Sequence, residues 1–322
     1  MSQQRVGAPA RSSAWVVGDD GSSDSRHAAR WAAIHATGRT DELRFVRAWH
    51  VPVGASYPAP SLTPAHIADD LEKGAWESVN EVADSFRAST PVPITTVTAC
   101  GGGSRVLLDA APPDGLIVVG RRGRGGFGRL LLGSTSTQVA THAPVPTVVV
   151  PLDARIETLE RLVVAVDGSP NSLAALTCAL GTAPVGAQIE CVMVWDVSPL
   201  SVGSDQFVIP EASGAAEARL DHIVGRLAAT RAGEVDVSAR FVEGRARPEL
   251  RRLGESADLL VMGARGHGAV GAALLGSVST WLLHHASVPM VVVPSPGDIE
   301  LGPISDRTVR AVEEPVGAAV GR

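Results

Sequence analysis

A long internal repeat constrains this chain more than any other feature. Segments 120–151 and 263–294 align without a gap, and 19 of their 32 positions are identical. Upstream, the run 16–22 matches 163–169, and both runs end in Asp-Gly-Ser. The period is about 145 residues, which is the size of a domain and too long for a solenoid unit. The chain therefore contains two copies of one domain.

Each copy alternates apolar strands with helical stretches. The predicted strands are buried on both faces, because their apolar runs are continuous. Such alternation implies right-handed crossovers and a parallel sheet. The sequence predicts two tandem doubly wound α/β domains, each a five-stranded parallel sheet with helices on both faces. The strands fall at 15–19, 43–49, 94–98, 116–119 and the Val-Val-Val run before Pro151 in copy one, and at 162–166, 189–195, 235–242, 259–262 and the matching run before Pro294 in copy two.

The repeat also sets the domain limits. We expect an unstructured start at 1–13, a nucleotide-binding domain at 14–151, a linker at 152–160, a second such domain at 161–294 and a flexible tail at 295–322. The start lacks the apolar core of a signal peptide, and the chain has no run of about 18 apolar residues, so we expect a cytoplasmic protein that does not enter a membrane. A net charge of -6 argues against a nucleic-acid partner.

The sharpest motif is Gly-x2-Gly-x9-Gly-Ser, which occurs in both copies between a strand and a helix. In open α/β sheets, ligands bind beyond the carboxyl ends of the strands. Amides at a helix start, with the helix dipole behind them, form an anion site, and the serine is a candidate N-cap. The alternative, that the glycines only form a tight turn, stays open. The motif comprises Gly120, Gly123, Gly133 and Ser134, and then Gly263, Gly266, Gly276 and Ser277.

Charged residues in the two loops differ. Copy one carries four arginines, of which Arg122 and Arg124 are candidate phosphate ligands and Arg121 and Arg129 add positive charge. Copy two has only Arg265 and His267, so we expect weaker phosphate attraction there.

The Asp-Gly-Ser turn after the first strand is the second candidate element, at Asp20, Gly21 and Ser22 and again at Asp167, Gly168 and Ser169. The acid either binds a nucleotide or its metal, or caps the first helix. Both interpretations stay open at this stage.

Other chemistries are poorly supported. The only lysine, Lys73, lies outside any glycine loop, which excludes a P-loop. A Gly-x-Gly-x-x-Gly match in each loop follows the fourth strand and has no acid downstream to hold a ribose. No hydrolase elbow, zincin motif or kinase signature is present, and the glycine loops contain no carboxylate base. His142 and His285 recur at equivalent places, where we expect them to cap a helix C-terminus.

These motifs together resemble the universal stress protein family, in its tandem, ATP-binding form. The resemblance implies strand order 3-2-1-4-5 in each domain and ATP, with Mg²⁺, as the ligand. It implies that the aspartates face adenine and ribose near Ala48-Trp49 and Val194-Trp195, and that the glycines, serines and the following Thr135 and Val278 contact ribose and phosphates.

The resemblance also implies how the protein works. The two halves would pair through their last strands as a pseudo-dimer within one chain, and the whole chain could also form a homodimer. The protein would be a stress-response or signalling module acting through nucleotide-dependent conformation or partner binding, with little turnover. Two alternatives are a weak ATP-hydrolysing, self-phosphorylating or adenylylating enzyme and a nucleotide-free interaction module.

Overall fold

The computed structural model describes residues 12–51, 64–124, 132–196, 210–266 and 275–295. The first half contains β1 (Trp15–Gly18), α1 (Ser23–His35), β2 (Leu43–Trp49), α2 (Pro64–Arg87), β3 (Ile94–Cys100), α3 (Gly103–Ala110), β4 (Leu116–Gly120), α4 (Ser134–His142) and β5 (Thr147–Val150). The second half contains β6 (Arg161–Ala165), α5 (Pro170–Thr182), β7 (Gln188–Trp195), α6 (Pro210–Ala228) with a 3₁₀ turn at Ala229–Arg231, β8 (Asp236–Glu243), α7 (Ala246–Gly254), β9 (Leu259–Gly263), α8 (Ser277–His285) and β10 (Met290–Val293). Most of the predicted start and tail, at 1–11 and 296–322, lies outside the described residues.

All ten strands form one sheet, in the order β3-β2-β1-β4-β5-β10-β9-β6-β7-β8. Within each half the strands are parallel and follow the order 3-2-1-4-5, which confirms the predicted fold class. The order places β1 beside β4 in the first half and β6 beside β9 in the second. The order in which successive strands are added to the sheet reverses at these parallel pairs, which is where open α/β sheets bind ligands.

The two halves are joined by one antiparallel strand pair. Val149 lies opposite Met290, Val148 opposite Val291 and Thr147 opposite Val292. Every residue of β5 and β10 is buried, because helices cover both faces of the sheet. This confirms the predicted pairing of the halves through their last strands.

Helices cover both faces of the sheet, and each face has its own apolar cluster. Neighbouring residues of a strand point to opposite faces, so Val16 joins one cluster and Val17 the other. Each cluster includes residues from both halves, for example Phe45 and Ile189 on the α1 and α5 side. The halves therefore share their cores as well as their sheet. Within the described ranges, no helix is long and apolar enough to cross a membrane.

The segment between the halves is packed against α1. Ala154, Ile156 and Leu159 are buried. His35 Nε2 donates to the Ile156 carbonyl oxygen at 2.8 Å, and His27 Nε2 lies 3.0 Å from the Ala154 oxygen. The linker is thus part of the folded core, a feature that its polar sequence does not predict.

An ion pair, Asp19–Arg47, is buried in the first half only. Arg47 donates from Nε to Asp19 Oδ2 at 2.8 Å and also from Nη2, and the two side chains are 10% and 1% exposed. Asp19 Oδ1 accepts further bonds from Gly21 N and Ser25 Oγ. The register of β6 with β7 places Val166 and Met193 at the equivalent positions of the second half. The same backbone thus holds a charged pair in one copy and an apolar pair in the other.

We expect His35 to make stability pH-dependent. Burial lowers the pKa of His35 below its usual 6.5, and the positive charge of Arg39 lowers it further. Below about pH 6.5 the unfolded chain therefore binds a proton at His35 more readily than the folded chain does. The contribution of neutral, buried His35 to the unfolding free energy is complete above about pH 6.5 and is lost as the pH falls below that value. In urea denaturation at about pH 7.5 and about pH 5.5, unmodified protein should lose more unfolding free energy than His35→Gln. His222→Gln, at an exposed position, is the control; equal losses in the unmodified and His35→Gln proteins would contradict the expectation.

The ion pair gives a second prediction, for which the chain supplies its own control. Arg47→Met alone leaves a buried carboxylate without its cation and should lower the unfolding free energy by about 3 kcal/mol. The double change Asp19→Val with Arg47→Met copies Val166 and Met193 and should recover most of that loss. Chemical denaturation of the three proteins measures both values. A double variant as unstable as the single one would show that the pair stabilises the first half in another way.

Candidate functional site

A cavity of about 680 Å³ opens at the carboxyl ends of β1, β2 and β4 in the first half. This volume lies within the range of small-molecule sites. The turn after β1, the β3–α3 loop and the start of α4 form its polar walls, and its apolar surface comes from Val46, Ala48, Leu107, Val119 and Leu132. The predicted glycine loop and the predicted Asp-Gly-Ser turn therefore meet at one site.

Gly120 lets the end of β4 touch the start of α1. A Cβ at this position would lie 2.6 Å from the Asp24 carbonyl carbon, closer than real Cβ atoms come. Gly263 stands in the same relation to Asn171, at 2.8 Å. Both glycines are thus required for strand-to-helix packing, and this packing places the β4–α4 loop against the β1–α1 turn.

Two carboxylates, Asp20 in that turn and Asp24 in the first turn of α1, accept hydrogen bonds from the loop. Asp24 Oδ1 accepts from Arg122 N at 3.1 Å, and Asp20 Oδ2 accepts from Arg124 N at 2.8 Å. Burial alone would raise the pKa of Asp20, but hydrogen bonds from Ser22, Arg124 and Ser25 outweigh burial and lower it. Asp20 is therefore ionised at neutral pH. A Cβ on Gly123 would overlap Asp20 Oδ2, so glycine is needed there for the carboxylate to approach.

The serine of the turn, rather than the aspartate, caps the helix that follows. Ser22 Oγ accepts from Ser25 N at 3.1 Å, and Ser169 Oγ accepts from Ser172 N at 3.3 Å. Asp20 and Asp167 instead each accept from the serine amide two residues later. The helix-cap interpretation of the aspartates is therefore wrong.

The glycine of the turn is required by its backbone. Gly21 and Gly168 have φ of 79° and 80°, in the left-handed region that other residues rarely adopt. Both copies thus make the same tight bend between the first strand and the first helix.

The prediction that Ser134 and Ser277 are N-caps is also wrong. Gly133 and Gly276 occupy the N-cap, with ψ of 153° and 151°, and the serines are the first helical residues. A glycine has no side chain to accept hydrogen bonds from the first-turn amides of α4. Ser134 and Thr135 line the cavity, so this uncapped helix start faces it. Such a start attracts anions through its amides and its dipole.

Ser136 and Ser279 hold the helix start to the strand end, and sequence reasoning missed them. Ser136 Oγ donates to the Gly120 oxygen at 2.8 Å, and Ser279 Oγ donates to the Gly263 oxygen at 3.0 Å. Both serines are buried. The signal was available, because Gly-Ser-x-Ser is identical in the two copies.

The arginines of the loop divide into two kinds. Arg122 and Arg124 are both exposed; Arg122 lines the cavity, and its Nε lies 3.5 Å from Asp24 Oδ1. Arg121 instead turns away from the cavity toward the second half. Arg129 and His267 lie outside the described residues.

Of the two residues expected at the end of the second strand, Ala48 lines the cavity and Trp49 does not. Val46, Ala48 and His50 line the cavity, as alternation along β2 requires. Trp49 belongs to the opposite face of that strand, so its ring is not part of the cavity wall. Trp195 lies 6.2 Å from Phe241 between ring centroids, and Phe241 packs on the α5 and α6 cluster.

The second half repeats the backbone of the site with different side chains. Gly276 N donates to the Ala264 oxygen at 2.8 Å, as Gly133 N donates to the Arg121 oxygen at 2.9 Å. A Cβ on Gly266 would meet Asp167 Oδ2 at 2.5 Å, so this aspartate also approaches its loop. The predicted residues Gly263, Arg265, Ser277 and Val278 surround this turn, and Val278 replaces the hydroxyl of Thr135 with an apolar group.

The matching histidines cap their helices as predicted. His142 and His285 end α4 and α8, and their Nδ1 atoms lie 2.9 Å and 2.7 Å from the carbonyl oxygens of Gln138 and Trp281. Among the described residues, no three His, Cys, Asp or Glu side chains are grouped so as to ligate a metal.

Comparison with known proteins identifies the family. The model of the universal stress protein family matches twice, over residues 15–151 and 158–294. A universal stress protein of Mycolicibacterium smegmatis is 32% identical over 289 residues, which cover 86% of this chain and 96% of that protein. A universal stress protein structure from Archaeoglobus fulgidus has the same fold, with a TM-score of 0.65 at 21% identity, covering 88% of this chain and 97% of that one.

A family member from Arabidopsis thaliana was solved with AMP bound; it is 18% identical, with a TM-score of 0.31, and covers 43% of this chain and 93% of that one. That ligand is a property of the plant protein. The family assignment here comes from the two family-model matches and from the Mycolicibacterium relative, which agree over both halves. The chain belongs to the universal stress protein family and is a tandem two-domain member of it.

Proposed function

We propose that this protein binds an adenine nucleotide, ATP with Mg²⁺, at the cavity of the first half and at the matching turn of the second. We further propose that it acts in the cytoplasm as a stress-response or signalling module, whose conformation or partner binding follows the nucleotide. The observation that carries the proposal is the uncapped start of α4 at the rim of a partly apolar cavity.

The cavity suits a ligand with one apolar and one anionic end. Val46, Ala48 and Leu107 form an apolar surface where a nucleobase could stack. The α4 start, with Ser134 and Thr135, forms the other side and supplies amides and hydroxyls. An adenine nucleotide has both ends, and Asp20, which also lines the cavity, can accept hydrogen bonds from the ribose hydroxyls.

Charge distinguishes the two proposed sites. The exposed Arg122 and Arg124 can reach toward phosphates in the first half. The described part of the second loop contributes Arg265 alone. We therefore propose tighter phosphate binding in the first half. The nucleotide-binding residues are proposed to be Asp20, Gly21, Ser22, Gly120, Arg122, Gly123, Arg124, Gly133, Ser134 and Thr135, and Asp167, Gly168, Ser169, Gly263, Arg265, Gly266, Gly276, Ser277 and Val278.

Little or no turnover is proposed, because the acids beside the first site are already engaged. Asp19 is paired with Arg47, Asp20 accepts from two amides, and Asp24 accepts from Arg122 N. A general base must accept a proton from the attacking water, and ionic and hydrogen bonds to a carboxylate weaken it as a base. Among the described residues that line this cavity, the carboxylates are Asp19 and Asp20, and Asp24 is bonded to the lining residue Arg122.

Binding can be tested by blocking each proposed site. Ala48→Trp places an indole on the apolar surface of the first site, and Val194→Trp does the same at the equivalent position of the second. By calorimetry with ATP and Mg²⁺, each variant should lose one of two binding events, with about a tenfold or greater loss of affinity at the filled site. Val185→Trp, at an exposed position, should retain both. No heat in the unmodified protein would indicate a nucleotide-free module.

Turnover is tested separately, by following ATP incubated with the protein. We expect ATP to stay intact for hours, because the carboxylates beside the site are already engaged. The measurement is chromatography of the nucleotides with a phosphate assay. Release of ADP with phosphate would favour a hydrolase, and release of pyrophosphate with AMP an adenylylating enzyme. Protein boiled before the incubation gives the background.

A further inference from the structure

Arg121 extends from the first candidate site into the second half of the molecule. It follows Gly120 in the β4–α4 loop, yet its Nη1 donates to the Ala286 carbonyl oxygen at 2.8 Å. Its Nη2 lies 3.3 Å from Asp153 Oδ1 in the linker. The Arg121 side chain is 13% exposed, so its bond to the Ala286 oxygen is largely shielded from water.

The main chain of Arg121 belongs to the first site. Its oxygen accepts from Gly133 N at 2.9 Å and from Ser136 Oγ at 3.1 Å, and these two residues form the start of α4. Its amide donates to the Val150 oxygen at 2.9 Å. A ligand that fixes the position of the start of α4 therefore also fixes the backbone from which the Arg121 guanidinium extends.

The contact that Arg121 makes is at the far end of a helix that begins at the second site. Ala286 is the C-cap of α8, and Gly276 is its N-cap. Nine residues span about 13 Å, so one short rigid helix separates the Arg121 contact from the second anion-binding turn. A cation at the C-terminus also stabilises the dipole whose positive end faces that turn.

The second half has no arginine at the position equivalent to Arg121, so it cannot make the same contact in the opposite direction. The residue equivalent to Arg121 in the second half is Ala264, which keeps the main-chain bonds to Val293 and Gly276. Its methyl group cannot reach across the molecule. At this loop position, the contact between the halves is therefore made by the Arg121 side chain and has no counterpart from Ala264.

We infer that Arg121 couples the two sites, so that nucleotide in the first site strengthens binding at the second. Nucleotide bound at the start of α4 holds Gly133 and Ser136, these two residues hold the Arg121 main chain, and the Arg121 side chain holds the end of α8 in the arrangement that its N-terminus needs for binding. Coupling between binding sites is reciprocal, so the second site strengthens the first by the same factor. This inference rests on the proposed nucleotide binding.

The test compares binding to both sites with binding to each alone, using ATP with Mg²⁺ and the full chain. Ala48→Trp leaves the second site open, and Val194→Trp leaves the first. The coupling factor is the product of the two stepwise association constants of the unblocked protein divided by the product of these single-site constants. We expect about fivefold or more, the lower end of typical coupling factors.

Arg121→Met keeps the apolar stem, removes the guanidinium and should bring the coupling factor close to 1. Arg121→Gln is too short to reach Ala286 and should do the same, so it serves if the methionine variant folds poorly. Arg39→Met is the matched control. It removes another bond between the halves, from Arg39 Nε to the Thr182 oxygen at 2.7 Å, far from the glycine loop, and should leave the coupling intact.

The outcomes separate this inference from the proposed function. Two binding events with a coupling factor near 1 in the unmodified protein, or a factor unchanged in both Arg121 variants, would overturn the coupling and leave nucleotide binding standing. A loss of coupling shared by Arg39→Met would also overturn it, since general loosening of the halves would then be the cause. No binding at either site would overturn both.

Discussion

The contact between Gly120 and the main chain of Asp24 is the constraint on which the first site depends. With a Cβ only 2.6 Å from a carbonyl carbon, neither backbone could keep its place. Because strand end and helix start touch, Asp20 and Asp24 come within hydrogen-bond distance of the loop amides. The cavity is the space between the strand ends and the helix starts that these contacts hold in place. Glycine at this position thus acts first on packing, and through packing on the shape of the site.

The two halves show which parts of the site can change without altering the fold. The main-chain bond from the N-cap glycine to the loop is kept, and so is the serine that ties α4 or α8 to its strand. The side chains around them differ, with Asp19 and Arg47 in one half and Val166 and Met193 in the other. Because main-chain bonds shape the proposed anion site in both halves, the surrounding side chains can differ without altering the fold. Duplication can therefore produce two unequal sites on one sheet.

The sequence predicted the fold well because its signals are local and repeated. Apolar runs located the ten strands within one or two residues at most ends, and the family resemblance placed β5 and β10 as partners. What it missed depends on contacts between distant residues. Asp19 and Arg47 are 28 positions apart, and the burial of Ile156 requires α1. The N-cap was misplaced by one residue, because serine preference was weighed without the extended backbone of Gly133.

The carboxylates of α1 and its preceding turn also narrow where an anion can bind. The glycine loop contains no acid, which suggests an open row of amides, yet two of those amides donate to Asp20 and Asp24. In the proposed complex, the groups that remain available to bind phosphate are therefore the start of α4 and the arginine side chains. A helix terminus alone stabilises an exposed charge by about 0.3–1 kcal/mol. That is too little for useful affinity, so in the proposed nucleotide complex Arg122 and Arg124 would supply most of the attraction at the first site. Differences in cation number between the two loops should therefore affect binding more than differences in their glycines.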